Sequence, residues 1–239
     1  MIMKTIGNYL LWRVVVHGAN IFSLNGILNI LFGLLLSVIS IFFLQKGAKR
    51  EDSYYIFRKN QVIPTCFWLM LGMVLIAPPI PMKNHTLLGV IAYGVFYVVF
   101  AVTSYTDKQT GHFTAGYMMV GVFVNLVLAL GCIPGYIKAG EGKNLLMAGA
   151  VVAANLVFGV FAYRFGDALL YLMAQCLMLI CLTPDMWMVA MIVGLFSACI
   201  YSVVWYGGAF IKNKGNLKSR FPFTTCLFIG SLTAFFLFL

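Results

Sequence analysis

Carboxylates are scarce in this chain: 239 residues hold six Asp and Glu. Charged residues of both signs make up 9%, against roughly a quarter in soluble domains. With 62% of residues hydrophobic, too little solvated surface remains to cover a water-soluble fold, so lipid must be part of the solvent. No two cysteines form a C-x-x-C pair, which excludes the usual zinc and haem attachment motifs. Cys66, Cys132, Cys176, Cys181, Cys199 and Cys226 all fall within or beside apolar runs and are expected as small buried side chains. No metal or other cofactor is expected. The first 20 residues lack a small-residue cleavage site and mix Lys4 and Arg13 with apolar residues, so they read as an interfacial helix. Internal repeats and low-complexity linkers are also missing, and the chain reads as a single integral membrane domain over 1–239.

What is present is long apolar runs. A spanning helix needs about 20 such residues. The runs predict an all-α polytopic bundle of about eight spans, near 21–44, 62–80, 86–106, 114–137, 145–163, 168–183, 186–210 and 222–238. The second ends at Pro78-Pro79-Ile80-Pro81. The sixth is short and is expected to begin inside the bundle. Asp185 is expected to cap the seventh. The net charge is +10, but the basic residues sit in short loops rather than on one solvated face. They therefore argue for topology signals and contacts with the lipid bilayer, not nucleic acid. Eleven of the 16 Lys and Arg fall in loops 45–61, 107–113, 164–167 and 211–221. Positive-inside reasoning places those loops in the cytoplasm and both termini outside, in a plasma or inner membrane.

Six acids can be weighed one by one. Glu51 and Asp52 adjoin Lys49 and Arg50 in a solvated cluster, and Glu141 lies in a Gly-rich turn expected to be solvated. Asp107 and Asp167 differ, since each directly follows a long apolar run. Two spans separate them, so by parity they emerge on one membrane face. Acids bordering spans are costly enough to be suspected of function. Ordinary helix-end acids are the plain alternative: a carboxylate in a helix's first turn, like Asp167, is favoured by the dipole. Two nearby aspartates have a definite chemistry. They share one proton, so one activates water while the other protonates the attacked carbonyl. Asp167, Tyr171 and Gln175 recur every four residues and share a helix face that should point inward, as should Asn125 and Asn155.

At these residues the chain resembles the type IV prepilin peptidase family of membrane aspartyl proteases. Asp107 is followed by Lys108-Gln109-Thr110-Gly111-His112 and then Phe113, as in the first family motif. Arg164-Phe165-Gly166-Asp167 is similar to the family's GxGD at a helix start, and Lys218-Ser219-Arg220-Phe221-Pro222-Phe223 to its basic entry into the last helix. The resemblance covers 86–239, a prepilin-peptidase-like core. It implies an aspartic-type endopeptidase with Asp107 and Asp167 catalytic, and Gly166, Arg164, Tyr171, Gln175 and His112 in support. It also implies a prepilin-like membrane protein as substrate, cut beside the cytoplasmic face, and a place in type IV pilus assembly or protein secretion.

The departures are specific. Arg164 replaces the first Gly of GxGD, Leu169 stands where a Lys is frequent, and Thr114 and Thr224 stand where Pro and Gly are usual. The family's zinc-bearing methylation loop has no counterpart, since 45–61 contains no Cys. These departures motivate a second reading, a non-catalytic scaffold or assembly component. A third, a small transporter, is disfavoured because no pair of broken helices recurs in matching halves. The sequence leaves oligomeric state open.

Overall fold

The computed structural model describes residues 24–49, 55–75, 87–110, 115–161, 165–182, 184–212 and 223–238. Among them are eight α-helices and no strand: α1 Leu24–Ala48, α2 Val62–Leu75, α3 Leu87–Thr110, α4 Ala115–Lys138, α5 Gly142–Phe161, α6 Phe165–Cys181, α7 Pro184–Lys212 and α8 Phe223–Phe238. Each coincides with one of the expected spans. A backbone surrounded by hydrocarbon must satisfy its own polar groups, and the helix does this within one segment. Parts of α1, α3, α4 and α7 are long and apolar enough to cross a membrane. The expected interfacial helix at 1–20, the proline turn at 78–81 and the Glu51–Asp52 cluster lie outside the described residues.

Two helices form the centre. In the apolar stretch of α3, 78% of residues are buried, whereas the corresponding stretches of α4 and α7 are 28% buried. Helix α6 is buried from Asp167 to Met178 with few interruptions. A helix enclosed by others need not match the bilayer thickness, which accounts for its 17 residues. Around these two, Phe96, Phe100, Phe228 and Phe235 make an aromatic core between α3 and α8, with Phe100 and Phe228 stacked at 5.4 Å. The outer helices turn apolar side chains outward: Phe123 on α4, and Ile192, Phe196, Val203 and Ile211 on α7, are each at least 66% exposed. Apolar surface on this scale fits a lipid environment.

Four expectations need correction. The end of α3 reaches Thr110, so Asp107 lies within the helix rather than in a loop. The hydroxyls of Thr103, Thr106 and Thr110 donate to carbonyls four residues back, which lets polar residues continue the helix without exposing donors. Asp185 is the second residue of α7, not its cap. Pro184 takes the first position, where its fixed φ and missing N–H cost nothing. The cysteines are all free, but only Cys176 and Cys226 are buried, and Cys199 is exposed. A thiol facing lipid carries little penalty. Glu141 is half-buried and accepts from Asn144 Nδ2 at 2.6 Å, in a turn whose Gly140 adopts φ +85°.

One tie holds the ends of α4 and α6 together. Tyr136 Oη shares its proton between the carbonyls of Leu179 and Leu182 at 2.7 and 2.9 Å. Tyr136→Phe should cost about 1 kcal/mol, read as a small fall in the melting temperature of the purified protein.

Candidate active site

The polar residues of the bundle collect at one end. Helix α1 finishes there, and residues 55–61 fold over the end of α3. Tyr55 Oη donates to Leu44 O at 2.7 Å, Ile56 N to Gln109 Oε1 at 3.3 Å, and Tyr105 Oη to Gln61 Oε1 at 3.2 Å. The Phe57 ring meets Tyr105 edge-on at 5.3 Å. Lys108 Nζ lies 5.4 Å from the centre of the Trp205 ring near the end of α7, a cation–π contact. The ends of α1, α3 and α7 thus share a side with the starts of α2, α6 and α8, the arrangement that parity requires.

Asp107 and Asp167 both lie at this end, and both are buried, 3% and 4% exposed. Asp167 is the third residue of α6, where unpaired N–H groups and the helix dipole favour an anion. Its Oδ1 accepts a hydrogen bond from Thr224 Oγ1 at 2.9 Å. Thr224 is the second residue of α8 and is fully buried. Two residues on, Cys226 is also buried. Between them, Thr225 Oγ1 approaches Ser104 O, three residues before Asp107, at 3.5 Å. The first turn of α8 therefore lies against Asp167 and against the turn of α3 that ends at Asp107. Gly166 is the half-buried second residue of α6. Arg164, His112, Phe113, Thr114 and the basic stretch 218–222 lie outside the described residues.

Below Asp167 the inward stripe forms as its spacing demands. Tyr171 and Gln175 are 3% and 1% exposed. Tyr171 Oη donates to Met191 O at 2.8 Å, and Trp187 Nε1 donates to Gln175 O at 2.8 Å, so α6 and α7 run antiparallel. Asn155 Nδ2 bridges from α5 to Ala168 O at 3.2 Å and Gln175 Oε1 at 3.4 Å. Asn125 also faces inward, but its Nδ2 donates to Gly121 O in its own helix at 3.1 Å. A cavity of about 500 Å³ opens beside this stripe, with Asn155, Tyr171 and Gln175 on its wall.

Thr224 is the residue that the sequence reading undervalued, entering only as a departure from a family Gly. A β-branched hydroxyl in an apolar helix start, beside a motif that resembles a catalytic element, was the available signal. Among the described residues no three His, Cys, Asp or Glu side chains gather as a metal site would need. Both acids are screened from bulk solvent, a setting in which proton transfer and electrostatic stabilisation are strong. No family model, curated protein or solved structure matches the chain.

Proposed function

We propose that this protein is a membrane aspartyl endopeptidase that removes the leader of a prepilin-like substrate. The observation that carries this reading is that two of only six acids are buried at one end of the bundle, where the first turn of α8 meets the helices of both. The ionised aspartate takes a proton from water, and the water oxygen adds to the scissile carbonyl carbon. The protonated aspartate gives its proton to the carbonyl oxygen. Collapse of the tetrahedral adduct breaks the C–N bond, and the amine leaves with a proton from the acid that received one. Position favours Asp167 as the ionised partner, because it has the helix N-terminus and the Thr224 hydroxyl. The resemblance of both aspartate motifs to the type IV prepilin peptidases supports the substrate class. The basic loops support a cytoplasmic location for this end.

The test is cleavage of a leader-bearing peptide by the purified protein in bilayers, run in oxygen-18 water. One labelled oxygen should enter the new carboxyl terminus, and no peptide-linked enzyme should be trapped. Intact peptide would favour the scaffold reading. A narrower prediction concerns Thr224. Thr224→Val keeps the shape and removes the hydroxyl, and a hydrogen bond to a charged group is worth about 1.5–3 kcal/mol. Its cleavage rate should fall about 10- to 100-fold, with Thr224→Ser restoring most of it.

A further inference from the structure

The segment that crosses the end of α3 carries exposed cations on a braced turn. Residues 56–58 have no regular structure, and Lys59–Gln61 form a single 3₁₀ turn. Arg58 N donates to Gln61 Oε1 at 2.9 Å, and Gln61 N returns a bond to Arg58 O at 2.9 Å. The same Gln61 Oε1 accepts from Tyr105, whose hydroxyl accepts from Gln109 Nε2 at 2.7 Å, while Gln109 Oε1 holds Ile56 N. Arg58 and Lys59 thus stand on backbone tied to α3, with both side chains exposed. Tyr55 packs against Gly47, which brings the segment to the end of α1 that carries Lys46 and Lys49. Both of these lysines are exposed, as is Lys108. Among the described residues no exposed carboxylate stands at this end, since Asp107 and Asp167 are buried. With Glu51 and Asp52 of the adjoining stretch counted, these five cations still outnumber the two acids.

Apolar residues lie beside these charges. Ile56 is 64% exposed and Ile63 79%, and Phe67 and Trp68 continue an exposed apolar surface along α2. Ile63 and Phe67 share one helix face. Backbone without regular structure is not tolerated against hydrocarbon, so residues 56–58 belong at headgroup depth. We infer that residues 56–59, with Lys46 and Lys49, form a docking surface for the headgroups of anionic phospholipids. Ile56 meets the acyl chains there, while Arg58 and Lys59 reach the phosphates. A nucleic acid or an acidic soluble protein would match the charge but leave Ile56 and Ile63 in water. A zwitterionic headgroup offers a phosphate but carries the cancelling cation with it. The surface stands independently of the peptidase reading.

The test uses the full chain in nanodiscs of equal parts phosphatidylglycerol and phosphatidylcholine with matched acyl chains. Native mass spectrometry counts the lipids that stay bound as the disc is stripped away. A Lys or Arg at an anionic surface contributes about fivefold in affinity. The wild-type protein should hold phosphatidylglycerol in preference to phosphatidylcholine by about tenfold. Arg58→Gln combined with Lys59→Gln should cut that preference by about fivefold or more. Lys138→Gln combined with Lys143→Gln removes the same charge at the far ends of α4 and α5 and should change the preference less than about twofold. All four side chains are exposed, so neither pair should move the melting temperature, and any loss of folded protein is read separately. Equal retention of the two lipids by the wild type would overturn the surface and leave its cations to a soluble acidic partner. Equal losses in the two double variants, or no loss in the first, would overturn it as well, since net charge alone or other residues would then hold the lipid.

Discussion

Asp107→Asn and Asp167→Asn should each reduce leader cleavage by about 10²–10⁴-fold, the range that a positioned acid or base contributes. Asparagine keeps the shape of the side chain and one acceptor oxygen but cannot exchange the proton. In Asp167→Asn the Thr224 contact at 2.9 Å can survive, with the amide oxygen as acceptor. The fold should therefore hold, and the loss should lie in the chemical step rather than in substrate affinity. In the proposed mechanism both acids act on one water and one carbonyl, so the double variant should be little worse than either single one. Cleavage at the wild-type rate by either single variant would remove the paired-acid mechanism. The readout is the fraction of peptide shortened at its leader, by mass.

The second large effect concerns the crossing of α7 and α8. Gly230 packs so closely on α7 that an added Cβ would fall on the carbonyl oxygen of Gly194 and within 2.8 Å of both Ala198 N and Ala198 Cβ. Those are backbone atoms and a methyl, with no flexible side chain to yield. Gly230→Ala should destabilise the protein by about 3 kcal/mol, the upper part of the range for overpacked sites. Gly149→Ala provides the contrast, since a Cβ there meets nothing within 4 Å. It should stabilise its helix by up to about 1 kcal/mol through propensity alone. Thermal or denaturant unfolding should thus move in opposite directions for the same chemical change. Helix α8 also carries Thr224 to Asp167, so under the proposed function Gly230→Ala should lower cleavage by more than its loss of folded protein explains.

Much of the fold was legible because apolar runs of spanning length can be counted, and the eight described helices fall on the eight runs. Inward faces were legible only where a polar residue marked them. Asp167, Tyr171, Gln175, Asn125 and Asn155 are buried as expected, because lipid would penalise them outside. Apolar residues carry no such mark, since lipid and core are equally apolar. That is why Cys199 read as buried and proves exposed. The end of α3 was set too early because a hydropathy run stops at the first polar residues, whereas threonines that bond back to their own helix continue it past Asp107. The Thr224–Asp167 bond joins residues 57 positions apart, and the unsatisfied amide of Gln175 depends on what four helices leave open around it. Neither follows from spacing along one helix.

The central claim is that Asp107 and Asp167 face a common point, and thiol bridging measures this most directly. In a protein stripped of native cysteines, Asp167→Cys combined with Thr224→Cys is the calibrating pair, since those side chains are in contact. Asp107→Cys combined with Asp167→Cys is the test pair, treated in membranes with a short bifunctional thiol reagent. The account predicts bridging of the test pair in yield comparable to the calibrating pair. A test pair that stays unbridged while the calibrating pair closes would contradict it.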